Sequence, residues 1–235
     1  MKKELEIVYE DKWLIVADKP SGLLTMSTGR KGEDSAYSML YDYMAGGRIF
    51  IVHRLDRDTS GLLVFAKDED TKRALQENWN EAVKERIYFA ILEGHIEDEE
   101  GWIQTWTYEH PKSLKVHCYP FNGHDDPARP PRKDWKFTSS HCRTIKHIQI
   151  DGQEYTCVEF NLETGRKNQI RAHSQWIGHP VAGDIKYGAT GNPFGRLALH
   201  ACTLSFIHPR TGKTMRFTSR IPKSFKRVKE GTGLK

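Results

Sequence analysis

Between two apolar stretches, Ile49 to Val52 and Leu62 to Ala66, the chain carries His53-Arg54-Leu55-Asp56-Arg57-Asp58-Thr59-Ser60-Gly61. Two arginines and two carboxylates thus share one short loop between apolar strands, a place where functional groups commonly sit on a rigid frame. As a bare pattern the loop fits a solvated turn equally well. A glycosidase-type carboxylate pair is one chemistry it suggests, but Asp56 and Asp58 stand two residues apart, and nothing else in the chain marks a sugar cleft. Thr211-Gly212-Lys213-Thr214 has the end of a phosphate loop, yet Ile207 occupies the position of the required first glycine. Metal chemistry has little to build on. Cys118, Cys142, Cys157 and Cys202 form no close pair, and the dipeptides His117-Cys118 and His141-Cys142 lack the close-spaced ligand pairs of structural zinc sites.

The surrounding sequence predicts mostly strands. Ile7 to Tyr9 and Leu14 to Val16 flank a polar turn at Glu10 to Lys12 and read as a hairpin, ended by Lys19-Pro20-Ser21-Gly22. Thr25 to Asp34 reads as a loop. Leu62 to Ala66 reads as a central strand, and Asp70-Thr71 as the cap of a helix running to about Lys84. Ile87 to Leu92 is a strand ended by Gly94. Residues 101 to 154 show no clear period, and Pro127 to Lys136 reads as an extended loop with basic side chains outward. Thr156 to Leu162 alternates as a strand, Asn168 to Ile177 is a helix closed by Gly178, and strands follow near Leu199 to Ile207 and Met215 to Thr218. Strands outnumber helices, so the expected fold class is α+β: a single mixed, largely antiparallel β-sheet domain over residues 1–235, with flanking helices.

Composition narrows the class further. At 235 residues with 37% hydrophobic and 11% aromatic residues, the chain can bury a sizeable core and is no disordered tail. No apolar run approaches the roughly 20 residues needed to span a bilayer, and the charged start, Met1-Lys2-Lys3-Glu4, lacks the apolar region of a signal peptide. A soluble cytoplasmic protein with reduced thiols is the economical expectation. The net charge of +5 is unevenly spread, because Pro209 to Lys235 holds nine basic residues against the single acid Glu230. Such an end suits a polyanion, nucleic acid first among candidates, although an ordinary solvated basic end has the same composition.

The loop of Asp56 resembles the His-Arg-Leu-Asp-x-x-Thr-Ser-Gly signature of the RluA-like family of pseudouridine synthases, and other stretches follow in order. Tyr9-Glu10-Asp11 through Asp18 to Leu23 is similar to the family's first motif, and Arg86 to Gly94 to its tyrosine-bearing strand. Glu163-Thr164-Gly165-Arg166-Lys167-Asn168-Gln169-Ile170-Arg171-Ala172-His173 resembles the third motif. Gly178-His179-Pro180, Gly183 to Gly188 and Leu197 to Ala201 continue the match, which is weakest at 101 to 154. Asn168 stands where the family usually has His, so one supporting hydrogen bond is expected to differ. No S4-like RNA-binding domain is expected ahead of the first motif.

The resemblance implies a pseudouridine synthase fold with a central cleft, and the isomerisation of uridine to pseudouridine in structured ribosomal or transfer RNA, with no metal and no other cofactor. It implies RNA as the partner and a monomer without an obligate protein partner. The catalytic residues it implies are Asp56, Tyr88 and Arg171. A carboxylate can attack an anomeric carbon, and either the covalent or the glycal route needs Asp56 ionised, so a cationic partner is required, Arg171 by motif position or Arg166 as the alternative. Tyr88 would stack on the detached uracil and move a proton. Without the resemblance it reads as a core strand residue. Ile170 would pack on the other face of the base, and Arg54 would fill the space vacated by the flipped nucleotide or hold phosphates, unless it pairs with Asp56 or Asp58. The rival readings are a non-catalytic RNA-binding or folding protein on the same scaffold and an N-ribosyl hydrolase using the same aspartate.

Overall fold

Asp11 closes the first hairpin. Its carboxylate accepts hydrogen bonds from the backbone N–H groups of Trp13 and Leu14, at 2.7 and 2.8 Å, as a short acidic side chain does in a turn. The turn joins β1 (Glu6–Glu10) to β2 (Leu14–Lys19), which pair antiparallel. The computed structural model describes residues 5–30 and 32–227, and the chain falls into two compact units: residues up to Arg86 with His200–Ile221, and Ile87–Leu199 with the residues from Pro222 onward.

In the first unit β4 (Ser60–Ala66) is buried along its whole length, as the continuous apolar run requires. It pairs antiparallel with β2 and with β3 (Phe50–Ile51), and parallel with β10 (Leu199–Ile207), which carries β11 (Thr214–Thr218) antiparallel to it. Gly61 lies at the parallel contact with φ near 118°, and a Cβ there would stand 2.2 Å from the carbonyl oxygen of Ala201. Only glycine fits this approach. The core gathers Leu14, Val16, Leu62, Val64, Leu204 and Phe206 around Leu75 of α2 (Glu69–Glu77).

Two expectations for this unit are corrected. Asp68, not Asp70, caps α2, accepting from the N–H and the hydroxyl of Thr71 at 2.8 and 2.7 Å. The helix does not reach Lys84. It stops at Asn78, a single turn α3 (Trp79–Ala82) follows, and β5 (Val83–Glu93) has already begun where Glu85 pairs with Arg216 of β11 at 2.6 Å. A tertiary ion pair and strand pairing override the helical spacing there. A further helix, α1 (Ala36–Tyr43), has no counterpart among the expectations, and a Ser35–Ser38 capping box starts it.

In the second unit the strands run in the order β5, β9 (Gln153–Leu162), β8 (Lys136–Ile150), β6 (Glu100–Glu109), β7 (Val116–Pro120), all antiparallel. The stretch from 101 to 154 is therefore mostly strand, and the basic Arg129, Arg132 and Lys133 are exposed on the turn-rich connection between β7 and β8, as expected. The fold is α+β, mixed and largely antiparallel. No helix among the described residues is long and apolar enough to cross a membrane.

Helix α4 (Gln169–Trp176) packs on β7 through Ala172 and Val116, and on β6 and β8 through polar groups. His173 is fully buried and bonds the hydroxyls of Thr105 (3.1 Å), Thr138 (3.0 Å) and Ser140 (3.0 Å). Gln169 donates to the Ser139 carbonyl and the Ser140 hydroxyl at 3.0 and 2.9 Å. Burial pushes the His173 imidazole down to about 4. His53 is pushed to about 3, by burial and then by Arg86, and its Nε2 accepts from the Val64 N–H at 3.2 Å, a bond that protonation would break. Both histidines stay neutral in the fold while the unfolded chain takes up protons below about pH 6.5. Their contribution to stability is thus complete above that pH and is lost as pH falls toward 4, by about 1.4 kcal/mol per pH unit for each group. Urea denaturation at stepped pH values should show this slope. Equal stability at pH 7 and pH 5 would contradict it.

Candidate active site

Asp56 sits half-buried in the loop between β3 and β4, and the backbone on both sides of it is clamped by the Lys19–Thr25 stretch. The Thr25 hydroxyl donates to the Leu55 carbonyl at 2.9 Å and lies 3.2 Å from the Leu55 N–H. The Arg57 carbonyl accepts from the Lys19 ammonium at 3.0 Å and from the Gly22 N–H at 2.8 Å, and the Asp58 carbonyl accepts from the Ser21 hydroxyl at 2.7 Å. Lys19 is fully buried and also donates to the carbonyls of Pro20 and Leu23, at 3.1 and 2.7 Å, so a buried cation is matched by carbonyl dipoles. These bonds fix the carboxylate-bearing residue before any substrate arrives.

The end of the same loop is tied to β10 and the chain after β11. The hydroxyl of Ser219 donates to Asp18, so His200 Nε2 donates to Ser219 at 2.9 Å and its Nδ1 accepts from the Ser60 hydroxyl at 2.8 Å. A single tautomer of His200 satisfies the whole chain of bonds. This accounts for the His of Leu197 to Ala201 as a fixed strut beneath the loop.

In the second unit Arg171, on α4, makes a bidentate pair with Asp184 at 2.6 and 2.8 Å, and its third nitrogen donates to the Asn168 side-chain carbonyl at 3.1 Å. The pair is desolvated, with the side chains 11% and 1% exposed. The guanidinium carbon also lies 4.8 Å from the centroid of the Tyr187 ring. Asn168 adopts a left-handed conformation (φ 52°), which Asn tolerates well, and its amide nitrogen donates to the Tyr187 hydroxyl at 3.1 Å. The residue that departs from the family pattern therefore links Arg171 to Tyr187.

Sequence reasoning missed Asp184 as a partner of Arg171. The signal was present in Gly183-Asp184-Ile185-Lys186-Tyr187-Gly188, but no spacing rule joins a carboxylate thirteen residues downstream to a helix arginine. Tyr88 lies half-buried on β5 opposite Phe160 of β9. Ile170 is buried on α4, and Arg166 is exposed just before it. Arg54 is exposed. Asp56 and Arg54 thus belong to one unit, and Tyr88, Arg166, Ile170 and Arg171 to the other.

The basic end is less available than its composition suggests. Arg210 pairs with Asp68 at 2.8 Å and Asp70 at 3.6 Å, and Arg216 with Glu85. Lys223 is exposed, while the side chains of Lys226 and Arg227 and all of residues 228–235 lie outside the described residues.

Among the described residues no group of three His, Cys, Asp or Glu side chains converges as a metal would need. Burial pushes the thiols of Cys118 and Cys157 up to about 11, so they are protonated near neutral pH. Turnover in EDTA is therefore expected to match turnover without it. A loss restored by zinc but not by magnesium would contradict this; magnesium is set aside because it folds RNA.

The RNA pseudouridylate synthase family pattern matches residues 13–176, a span that holds the clamped loop, β5 and the whole of α4. The chain belongs to this family. The synthase is 35% identical over 216 residues to the dual-specificity RNA pseudouridine synthase RluA of Vibrio vulnificus, covering 88% of this chain and 79% of that protein. It is 34% identical over 235 residues to the ribosomal large subunit pseudouridine synthase D of Neisseria meningitidis serogroup A, covering 93% of this chain and 58% of that one. The solved structure of human RNA pseudouridylate synthase domain containing 1 shares the fold, with a TM-score of 0.73 at 23% identity over 92% of this chain and 83% of that chain.

Proposed function

We propose that this RNA pseudouridine synthase isomerises specific uridines in structured cellular RNA, ribosomal RNA first among candidates, with Asp56 as the carboxylate that acts at C1′. In the reaction the N1–C1′ bond breaks, the uracil turns, C5 bonds to C1′, and the C5 proton leaves as N1 gains one. The observation that carries the reading is the family match over residues 13–176 together with the clamping of the backbone on both sides of Asp56. Tyr88 stacks on the detached base and serves in proton transfer. Arg171, held in one orientation by Asp184 and Asn168, supplies the cation that keeps the site favourable for an ionised carboxylate. Ile170 and Arg166 line the base and its flank, and Arg54, exposed beside Asp56, replaces the flipped nucleotide or holds its phosphates. Excluding water matters, because water at C1′ would leave an abasic site. The synthase works as a monomer in the cytoplasm, where its four free thiols remain reduced.

The test is tritium release from RNA labelled at uridine C5, with the products analysed for free uracil. Tritium release with pseudouridine and no free uracil is expected. RNA binding without tritium release would favour a binding or folding protein, and free uracil would favour a hydrolase. Mapping pseudouridines in cellular RNA with and without the gene then identifies the target.

A further inference from the structure

The hairpin that joins β6 to β7 lies in the stretch that none of the family-like motifs covers, and its turn is fastened to residues around α4. The Val116 N–H donates to the Tyr187 hydroxyl at 3.0 Å, Lys186 donates to the Leu114 carbonyl at 2.9 Å, and Lys167 pairs with Glu109. The Lys115 ammonium stands 5.2 Å from the centroid of the Tyr187 ring, which Arg171 also contacts. Cations therefore converge from three places: Lys115 on the hairpin, Lys167 ahead of α4, and Lys186 in the 3₁₀ turn Ile185–Tyr187.

The carboxylates in this cluster are already engaged, Glu109 with Lys167 and Asp184 with Arg171. The surplus of positive charge is felt by its neighbours. The Lys186 ammonium is held below its ordinary range by burial, then by Arg171 and Lys167, and the His117 imidazole is held down by burial, then by Lys115 and His110. Crowded like charges are a standing electrostatic cost that a bound anion relieves. An ammonium carries three N–H donors, so Lys186 keeps donors beyond the one given to Leu114. Lysines spread over several elements suit a row of singly charged phosphodiesters read without regard to sequence, rather than one ligand held in a fork.

We propose that Lys115 and Lys186 form a docking surface for the phosphodiester backbone of the RNA substrate, with Lys167 at its edge. The inference rests on the proposed action on RNA and adds where the strand beyond the target nucleotide is held. It also gives the β6–β7 hairpin a function, as the element that brings Lys115 to the third-motif helix.

The experiment titrates the full chain against a fluorescein-labelled structured ribosomal RNA transcript over a range of salt concentrations, for the wild type, Lys115→Gln/Lys186→Gln and Lys115→Arg/Lys186→Arg. The Gln pair should weaken binding and make the log–log salt slope shallower by about 0.7 to 0.9 for each lost contact, and the Arg pair should restore both. Thermal unfolding of each variant establishes that the fold is intact. An unchanged slope and affinity for a folded Gln variant would overturn the proposal. So would a loss confined to the turnover rate at saturating RNA, which would make the lysines struts for Tyr187. If the wild type bound the RNA yet released no tritium, and the Gln pair still altered the slope, the docking surface would stand and the catalytic reading would fall.

Discussion

Replacing Asp184 by Ala is expected to cost the folded protein about 3–5 kcal/mol, the usual penalty for leaving a buried charge without its partner. Asp184 is 1% exposed and meets Arg171 through both carboxylate oxygens, so truncation takes the bidentate carboxylate away from a guanidinium that is only 11% exposed. Against a total stability of about 5–15 kcal/mol, that loss is a large share. Asp184→Asn keeps the shape and one acceptor and should fall between the two. Turnover should fall with stability, because Arg171 would lose the bidentate bonds that fix its orientation beside Asn168 and the Tyr187 ring. Urea denaturation of the two variants beside the wild type measures the effect. An Ala variant within about 1 kcal/mol of wild type would mean that the ion pair adds no more than an exposed one does.

Much of the frame of the first unit is legible in the sequence because its strands are apolar and bounded by strong turn residues. β4 is a continuous buried run, and Asp11 and Pro20 mark the ends of β2. The second unit hides its strands for a physical reason. On β8 the fully buried positions are the consecutive Thr138, Ser139 and Ser140, and on β6 Thr105 stands beside Trp106, so the buried positions carry hydroxyls in place of an alternating apolar face. Those hydroxyls are buried at little cost because His173 and Gln169 of α4 bond those of Thr105, Thr138 and Ser140, and the Ser139 hydroxyl donates to Glu163. The Asp56 loop stood out through its density of charge, but its rigidity did not. The bonds from Lys19, Ser21, Gly22 and Thr25 span thirty residues or more of sequence, and three of the four end on backbone carbonyls alone, which carry no sequence signal. Asp184 escaped for the same reason, since a buried carboxylate and an exposed one look identical in a sequence.

The second large effect belongs to Asp56 itself. Asp56→Asn keeps size and shape while removing the charge and most of the nucleophilicity, so whether the carboxylate attacks C1′ or assists glycal formation, the isomerisation loses the group it depends on. The clamps on Leu55, Arg57 and Asp58 are made by backbone atoms, so they survive the substitution and the loop keeps its place. RNA affinity derives from phosphates and the flipped base rather than from an anion, and should change little.

The most direct measurement is single-turnover pseudouridine formation by Asp56→Asn beside a binding titration on the same RNA. Pseudouridine below detection with near wild-type affinity is the predicted result. Formation within about tenfold of wild type, a barrier change of only about 1.4 kcal/mol, would contradict the assignment of Asp56 as the catalytic carboxylate.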